Sequence, residues 1–107
     1  MSTKISTLDD LNHTFDENEK IIVNFYAKDC AESKLMEPYF EKSASDPHNV
    51  GIAFLRVDVE ELGSVQDRYG IKTVPTFLAL QSRELVGQCQ GVAPERLEKI
   101  IADLIVV

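Results

Sequence analysis

Cys30 is the side chain whose surroundings best suit covalent chemistry. It stands in Lys28-Asp29-Cys30-Ala31-Glu32-Ser33-Lys34, between a strand-like run and a helix-like one. A thiol attacks only as thiolate, and the unpaired N–H groups at a helix start favour that form. Lys28 and Lys34 push the same way. Asp29 and Glu32 push back, each by a modest fraction of ~1 kcal/mol at exposed positions. The balance predicts a Cys30 pKa somewhat below the free value of ~8.5, short of strong activation. Ser33, one helical turn on, has a hydroxyl that stays protonated near neutral pH and cannot usefully attack sulfur.

The other titratable candidates read as structural. Cys89 alternates with Leu85 and Gly87 on one face of Leu85–Gly91, a packing pattern rather than that of a second resolving thiol. His13 and His48 are isolated and expected on the surface. Two cysteines and two histidines are too few for a zinc framework or a disulfide-stapled miniature, so no metal site is expected. Asp58, Glu60 and Glu61 read as a solvated strand end and helix start. Asn24, polar within an apolar run, needs hydrogen-bond partners, and being neutral it costs less to bury than a carboxylate.

The elements that must hold Cys30 follow from hydrophobic spacing. Leu8, Leu11 and Phe15 mark a helix over roughly 7–16, capped by Thr7. Lys20–Tyr26 is apolar on both faces apart from Asn24 and reads as a strand buried between layers. A helix follows Cys30, with Leu35, Met36, Tyr39 and Phe40 on one face and Pro38 inside it as a kink. Gly51–Asp58 is a second buried strand. Leu62, Val65 and Tyr69 give a short helix closed by Gly70. Thr76–Leu80 and Glu84–Gln90 lie close enough to be joined only as a hairpin. Pro94 opens a last helix with Leu97, Ile100, Ile101 and Leu104 as its core stripe and a Glu95–Lys99 pair. With a short strand at Lys4–Ser6, the order predicts an α/β fold, a mixed central sheet with helices on both faces.

Composition bounds the function. At 107 residues and 44% hydrophobic, the chain is expected to form one packed domain over 1–107. A formal net charge of −7 argues against nucleic acid or an anionic membrane as partner. Residues 1–20 have no apolar stretch after a basic start, and no apolar run approaches the ~20 residues of a membrane span. Cytoplasm is the expected compartment, and a monomer that meets other proteins the expected form.

Val23-Asn24-Phe25-Tyr26-Ala27-Lys28-Asp29-Cys30-Ala31-Glu32-Ser33-Lys34 resembles the thioredoxin family's active-site segment, in which Val-Asp-Phe-Trp-Ala runs into Trp-Cys-Gly-Pro-Cys-Lys. Pro38 falls where that family's helix carries its proline. Tyr69-Gly70-Ile71-Lys72-Thr73-Val74-Pro75-Thr76-Phe77 is similar to the segment around its cis-proline, and Gly91 to a glycine past which substrate backbone runs. The resemblance covers nearly the whole chain and implies the thioredoxin fold. It implies a cis Val74–Pro75 bond lying against the cysteine loop, with Val74 offering its backbone to an extended client, a short β-augmentation.

The departures shape the expected chemistry. Ser33 stands at the resolving cysteine's position, Asn24 at that of the buried carboxylate that serves it, and Asp29 at that of the tryptophan before the nucleophile. Loss of the acid together with the thiol it serves points to a natural single-cysteine protein rather than a Cys-to-Ser variant engineered to trap substrates. The resemblance then implies a monothiol protein, without a bound cofactor, in which Cys30 forms mixed disulfides with protein or glutathionylated clients. An outside thiol such as glutathione, as co-substrate, resolves them. Tyr26, Asp29, Val74, Pro75 and Gly91 are the implied substrate-contacting residues. A non-catalytic binding module that holds clients in the same groove, with Cys30 dispensable, is the alternative.

Overall fold

Lys20–Tyr26 forms a strand whose residues Ile21 to Phe25 are all buried. A strand buried on both faces must lie inside a sheet covered by two layers, and the rest of the chain builds around it. The computed structural model describes residues 1–106. In chain order the elements are β1 (Thr3–Ile5), α1 (Leu8–Glu17), β2 (Lys20–Tyr26), α2 (Ala31–Ala44), a 3₁₀ turn at Pro47–Asn49, β3 (Ala53–Asp58), α3 (Ser64–Arg68), β4 (Thr76–Gln81), β5 (Glu84–Gln90) and α4 (Pro94–Val106). The sheet order is β1-β3-β2-β4-β5. β3 runs parallel to β1 and β2, and β4 antiparallel to β2 and β5. This is the mixed sheet that the spacing predicts.

Alternation along β2 divides the core. Ile21, Val23 and Phe25 pack with Leu11 and Phe15 of α1 and Val65 of α3. Ile22 packs on the other face with Met36 and Phe40 of α2 and the α4 stripe Leu97, Ile100, Ile101 and Leu104. Thr7 caps α1, its hydroxyl accepting from the Asp10 N–H at 3.1 Å, a contact of about 1 kcal/mol in such positions. The β4–β5 hairpin turns through Ser82 and Arg83, both at positive φ (49° and 70°). Such two-residue turns match the sheet twist but strain non-glycine residues. Arg83 is anchored there by an ion pair to Asp16 and by lying over the Phe15 ring.

Several expectations are corrected. On α2, Leu35 is 59% and Tyr39 47% exposed; Met36 and Phe40 alone of the four face the sheet. Adjacent helical residues differ by about 100° in direction, so both members of each pair cannot enter the core. On β5, Leu85 is 52% exposed and does not share a face with Cys89. The ladder slips between Ala79↔Gly87 and Leu80↔Leu85, and the extra residue, Val86, reverses the alternation. Asp58 is buried, its carboxylate accepting from the Glu60 N–H at 2.9 Å, while Glu61 pairs with Lys4 at 3.1 Å. Lys99 pairs with Asp103 at 3.3 Å in place of Glu95. The second buried strand begins at Ala53 rather than Gly51, and α3 is confined to Ser64–Arg68, with Gly70 at φ 66° beyond it. His13 and His48 are exposed as expected, paired with Glu17 and Asp46.

The α2 correction can be measured by urea unfolding. Phe40→Ala, which removes a ring packed against Phe54 and Phe77, should cost about 3–5 kcal/mol. Leu35→Ala should stay within about 0.5 kcal/mol of the parent. Comparable losses from both would place Leu35 in the core after all.

Candidate functional site

β2 ends at Tyr26 and α2 begins at Ala31, so Ala27–Cys30 must reverse the chain in one tight turn. The Cys30 N–H donates to the Ala27 carbonyl at 3.1 Å, and the Lys34 N–H to the Cys30 carbonyl at 3.1 Å. Cys30 is thereby the N-cap residue of α2. Its Sγ lies 3.7 Å from the Val74 carbonyl oxygen, to which the thiol donates.

Ser33 sits beneath this turn, 5% exposed, its hydroxyl oxygen accepting from the Ala27 N–H at 3.3 Å. Its backbone N–H and then its hydroxyl are the leading causes that hold the Cys30 pKa below the ordinary thiol value. The Glu32 N–H adds to them; partial burial and the Glu32 carboxylate oppose. The direction is the expected one, but the leading cause is hydrogen bonding at the helix start. Lys28 and Lys34 are not among its leading causes. Cys89 differs in kind. Buried opposite Phe77, its thiol is pushed up to about 11 by desolvation.

Opposite the sulfur, the Val74–Pro75 bond is cis. The Gly91 N–H donates to the Pro75 carbonyl at 2.9 Å, tying the end of β5 to this loop. Gly91 has φ 73°, and beyond its own chain neighbours no atom lies within 4 Å of where a side chain would begin. Cys30, Val74, Pro75 and Gly91 are thus brought together. Asp29 is exposed in the turn before Cys30. Tyr26 is half-buried and lines a cavity on the Ser33 side of the turn, its hydroxyl pKa raised chiefly by burial.

That cavity, of about 160 Å³, lies against Asn24, Ser33, Lys34 and Arg56. Asn24 is 3% exposed and faces Arg56 across the β2–β3 register. The expectation that Asn24 finds hydrogen-bond partners is only partly met: its Oδ1 is buried without one, and so is Arg56 Nε. Unmet groups of this kind cost about 1–3 kcal/mol each. Sequence reasoning passed over Arg56; the signal for it was a lone cation inside the apolar run Ile52–Val57. Among the described residues no group of three or more histidine, cysteine or carboxylate side chains could hold a metal ion, and no helix is long and apolar enough to cross a membrane.

Residues 3–103 match the family model described as Thioredoxin. The chain is 30% identical over 102 residues to the mitochondrial Thioredoxin-3 of Saccharomyces cerevisiae, covering 95% of this chain and 79% of that protein. It is 31% identical over 91 residues to the Thioredoxin-like protein CXXS1 of rice, covering 85% of this chain and 67% of that one. The crystal structure of Malassezia sympodialis thioredoxin superposes with a TM-score of 0.89 at 25% identity, over 95% of this chain and 91% of that one.

Iodoacetamide labelling of the native protein, with peptide mapping, should find Cys30 modified first and its rate titrating below the pH expected of a free thiol. Ser33→Ala removes a donor to the thiolate, so the apparent pKa should rise. Labelling near pH 7 should slow, while the rates should converge well above the pKa. Preferential labelling of Cys89 would overturn the site assignment.

Proposed function

Because the chain belongs to the thioredoxin family, we propose that it is a monothiol member in which Cys30 forms mixed disulfides with client proteins and an outside thiol resolves them. The observation that carries this reading is Ser33 in the first turn of α2, buried beneath the Cys30 turn with its hydroxyl accepting from the Ala27 N–H at 3.3 Å. The hydroxyl supports the thiolate but cannot displace a sulfur from it. Cys30 thiolate attacks a client disulfide, one S–S bond forms as another breaks, and a client thiolate leaves. A free thiol, glutathione by class, then attacks the Cys30 sulfur and releases the second client thiolate. A second glutathione frees Cys30, and two thiols become one disulfide for each client disulfide reduced. The Val74 carbonyl beside the sulfur and the open backbone at Gly91 suit an extended client chain. Tyr26, Asp29 and Pro75 complete the proposed contact surface.

The Cys30-Ala31-Glu32-Ser33 spacing has the pattern that the rice relative's name spells, which supports a natural serine rather than an engineered one. The proposal extends to residues 1–107 working as one domain, as a monomer in the cytoplasm. A second reading, a client-binding module with Cys30 dispensable, draws on exposed Leu35 and Tyr39 within three turns of Cys30, which offer a client apolar surface to bury. The two separate on Cys30→Ala. Clients held through the thiol are lost under non-reducing conditions, and clients held by the surface remain.

Ser33→Cys tests why this protein lacks a resolving step. On mild oxidation the variant should form a disulfide between Cys30 and the introduced thiol, and it should gain dithiothreitol-driven insulin reduction that the parent lacks. Asn24→Asp should raise that rate further, and by more than it does with Ser33 in place, because the two act as a unit. Failure to form the disulfide, or equal effects of Asn24→Asp in both backgrounds, would hand the lead to the binding-module reading.

A further inference from the structure

Two of the residues that line the cavity on the Ser33 side of the turn each keep a buried polar atom that the fold leaves unanswered, and the two are of opposite kinds. Asn24 Oδ1 is an acceptor without a donor; Arg56 Nε is a donor without an acceptor. They face each other across neighbouring strands yet do not satisfy each other. Glu41 Oε2 forms an ion pair with Arg56 Nε at 3.7 Å, which offsets its charge but lies beyond hydrogen-bond length and leaves the N–H without an acceptor. Around them the lining carries three cations, Lys28, Lys34 and Arg56, and one carboxylate, Glu37. In a chain of net charge −7 this is a local reversal of sign.

A pure anion would answer the guanidinium and leave Asn24 Oδ1 facing like charge. A cation would do the reverse. A group carrying both a carboxylate and an ammonium on one carbon answers both: Arg56 and Lys34 take the carboxylate, while Asn24 Oδ1 and Glu37 take the ammonium. A cavity of about 160 Å³ is of the size to admit such an end group and little more.

We propose that this cavity seats the free α-amino-acid end of the thiol that resolves the Cys30 mixed disulfide. The inference rests on the monothiol reading above and names what that reading leaves open, the binding site of the co-substrate. Ser33 lines the cavity and stands three residues after Cys30, in the first turn of α2, so the cavity opens about one helical turn along the chain from Cys30. The γ-glutamyl end of glutathione, a residue removed from its own thiol, can occupy the cavity while the thiol reaches Cys30. Free cysteine carries the same end group but is too short to do both. Seating the end group converts a bimolecular attack into one with a positioned thiol.

Two measurements test this. In the Cys30→Ala protein, where no thiol chemistry occurs at the site, S-methylglutathione should shift the backbone amide resonances of Asn24, Ser33 and Arg56. Asn24→Asp places a carboxylate opposite Arg56, competes for it, and should weaken this binding by about tenfold or more. Lys34→Gln, an exposed change that leaves the fold alone, should weaken it by a smaller factor. In the unmodified protein, the rate of release of a Cys30-linked peptide should saturate with glutathione and with γ-glutamylcysteine. It should stay linear with cysteinylglycine, free cysteine and 2-mercaptoethanol. Resonance shifts confined to other surfaces, binding indifferent to Asn24→Asp, or linear kinetics with every thiol would overturn the proposal. If S-methylglutathione binds as expected while Cys30 forms no mixed disulfide, the site stands and the monothiol function falls.

Discussion

Burial of β2 on both faces and along both edges is the constraint from which the rest follows. Ile21 to Phe25 are all buried, so the sheet must continue on either side of them and helices must cover both faces. The strand can leave this environment only at its ends. At its C-terminal end the chain turns back through Ala27–Cys30, and the first turn of α2 is laid over the strand it has just left. Cys30 therefore owes its position to the core. Its sulfur meets Val74 because β4 pairs antiparallel with β2 through Phe25↔Thr76, which fixes the loop before Thr76 against the turn.

The same burial makes position 24 costly. Asn24 points to the α2 face, where a buried carboxylate would have to lose its hydration unless a cation or a proton met it. An amide avoids most of that cost but leaves Nε of Arg56, its neighbour on β3, without a hydrogen-bond acceptor, the guanidinium having only the longer ion pair to Glu41 at 3.7 Å. Ser33 one layer up makes a parallel exchange. Its hydroxyl accepts from the Ala27 N–H and supports the Cys30 thiolate, so it keeps the turn together as hydrogen-bonding machinery. It gives up sulfur chemistry. Asn24 and Ser33 lie on the same side of the turn and line the same cavity.

Much of this was legible in the sequence, and the failures have definite causes. β2, the hairpin and the helix starts at Leu8 and Pro94 are written in local signals: a two-faced apolar run, a short turn between alternating strands, a threonine cap and an N1 proline. The close approach of Cys30, Val74, Pro75 and Gly91 was implied by resemblance to the thioredoxin family. Periodicity could not say which of Leu35 and Met36 enters the core, because the two are adjacent on a helix and the choice is made by where α2 crosses the sheet. It could not foresee the extra residue at Val86, which moves Leu85 to the opposite face, since a bulge leaves no pattern when the residues around it are all apolar. Asp58 looked like a solvated strand end. It is buried because its carboxylate closes the turn into Glu60. Arg56 was missed for a related reason. A single cation in an apolar run has meaning only once the register shows that it faces Asn24.

The electrostatics of the site then separate two distances. Beyond the Debye length of about 8–10 Å at physiological salt, a visiting molecule meets a chain of net charge −7, which neither concentrates anions nor recruits nucleic acid. Within that length the molecule meets Lys28, Lys34 and Arg56, with one carboxylate, Glu37, around a small cavity that Asn24 also lines. Asp29 and Glu32 are exposed on either side of Cys30 in the sequence, outside the cavity lining. The two proposed approaches to the sulfur consequently differ in charge. On the proposed function a protein client along the Val74–Gly91 backbone would pass carboxylates, and a small thiol on the Ser33 side would pass mostly cations. A dithiol protein has no need of that division, since its second attacking sulfur is already in place. A protein whose second sulfur must come from solution is served by having a separate entrance for it.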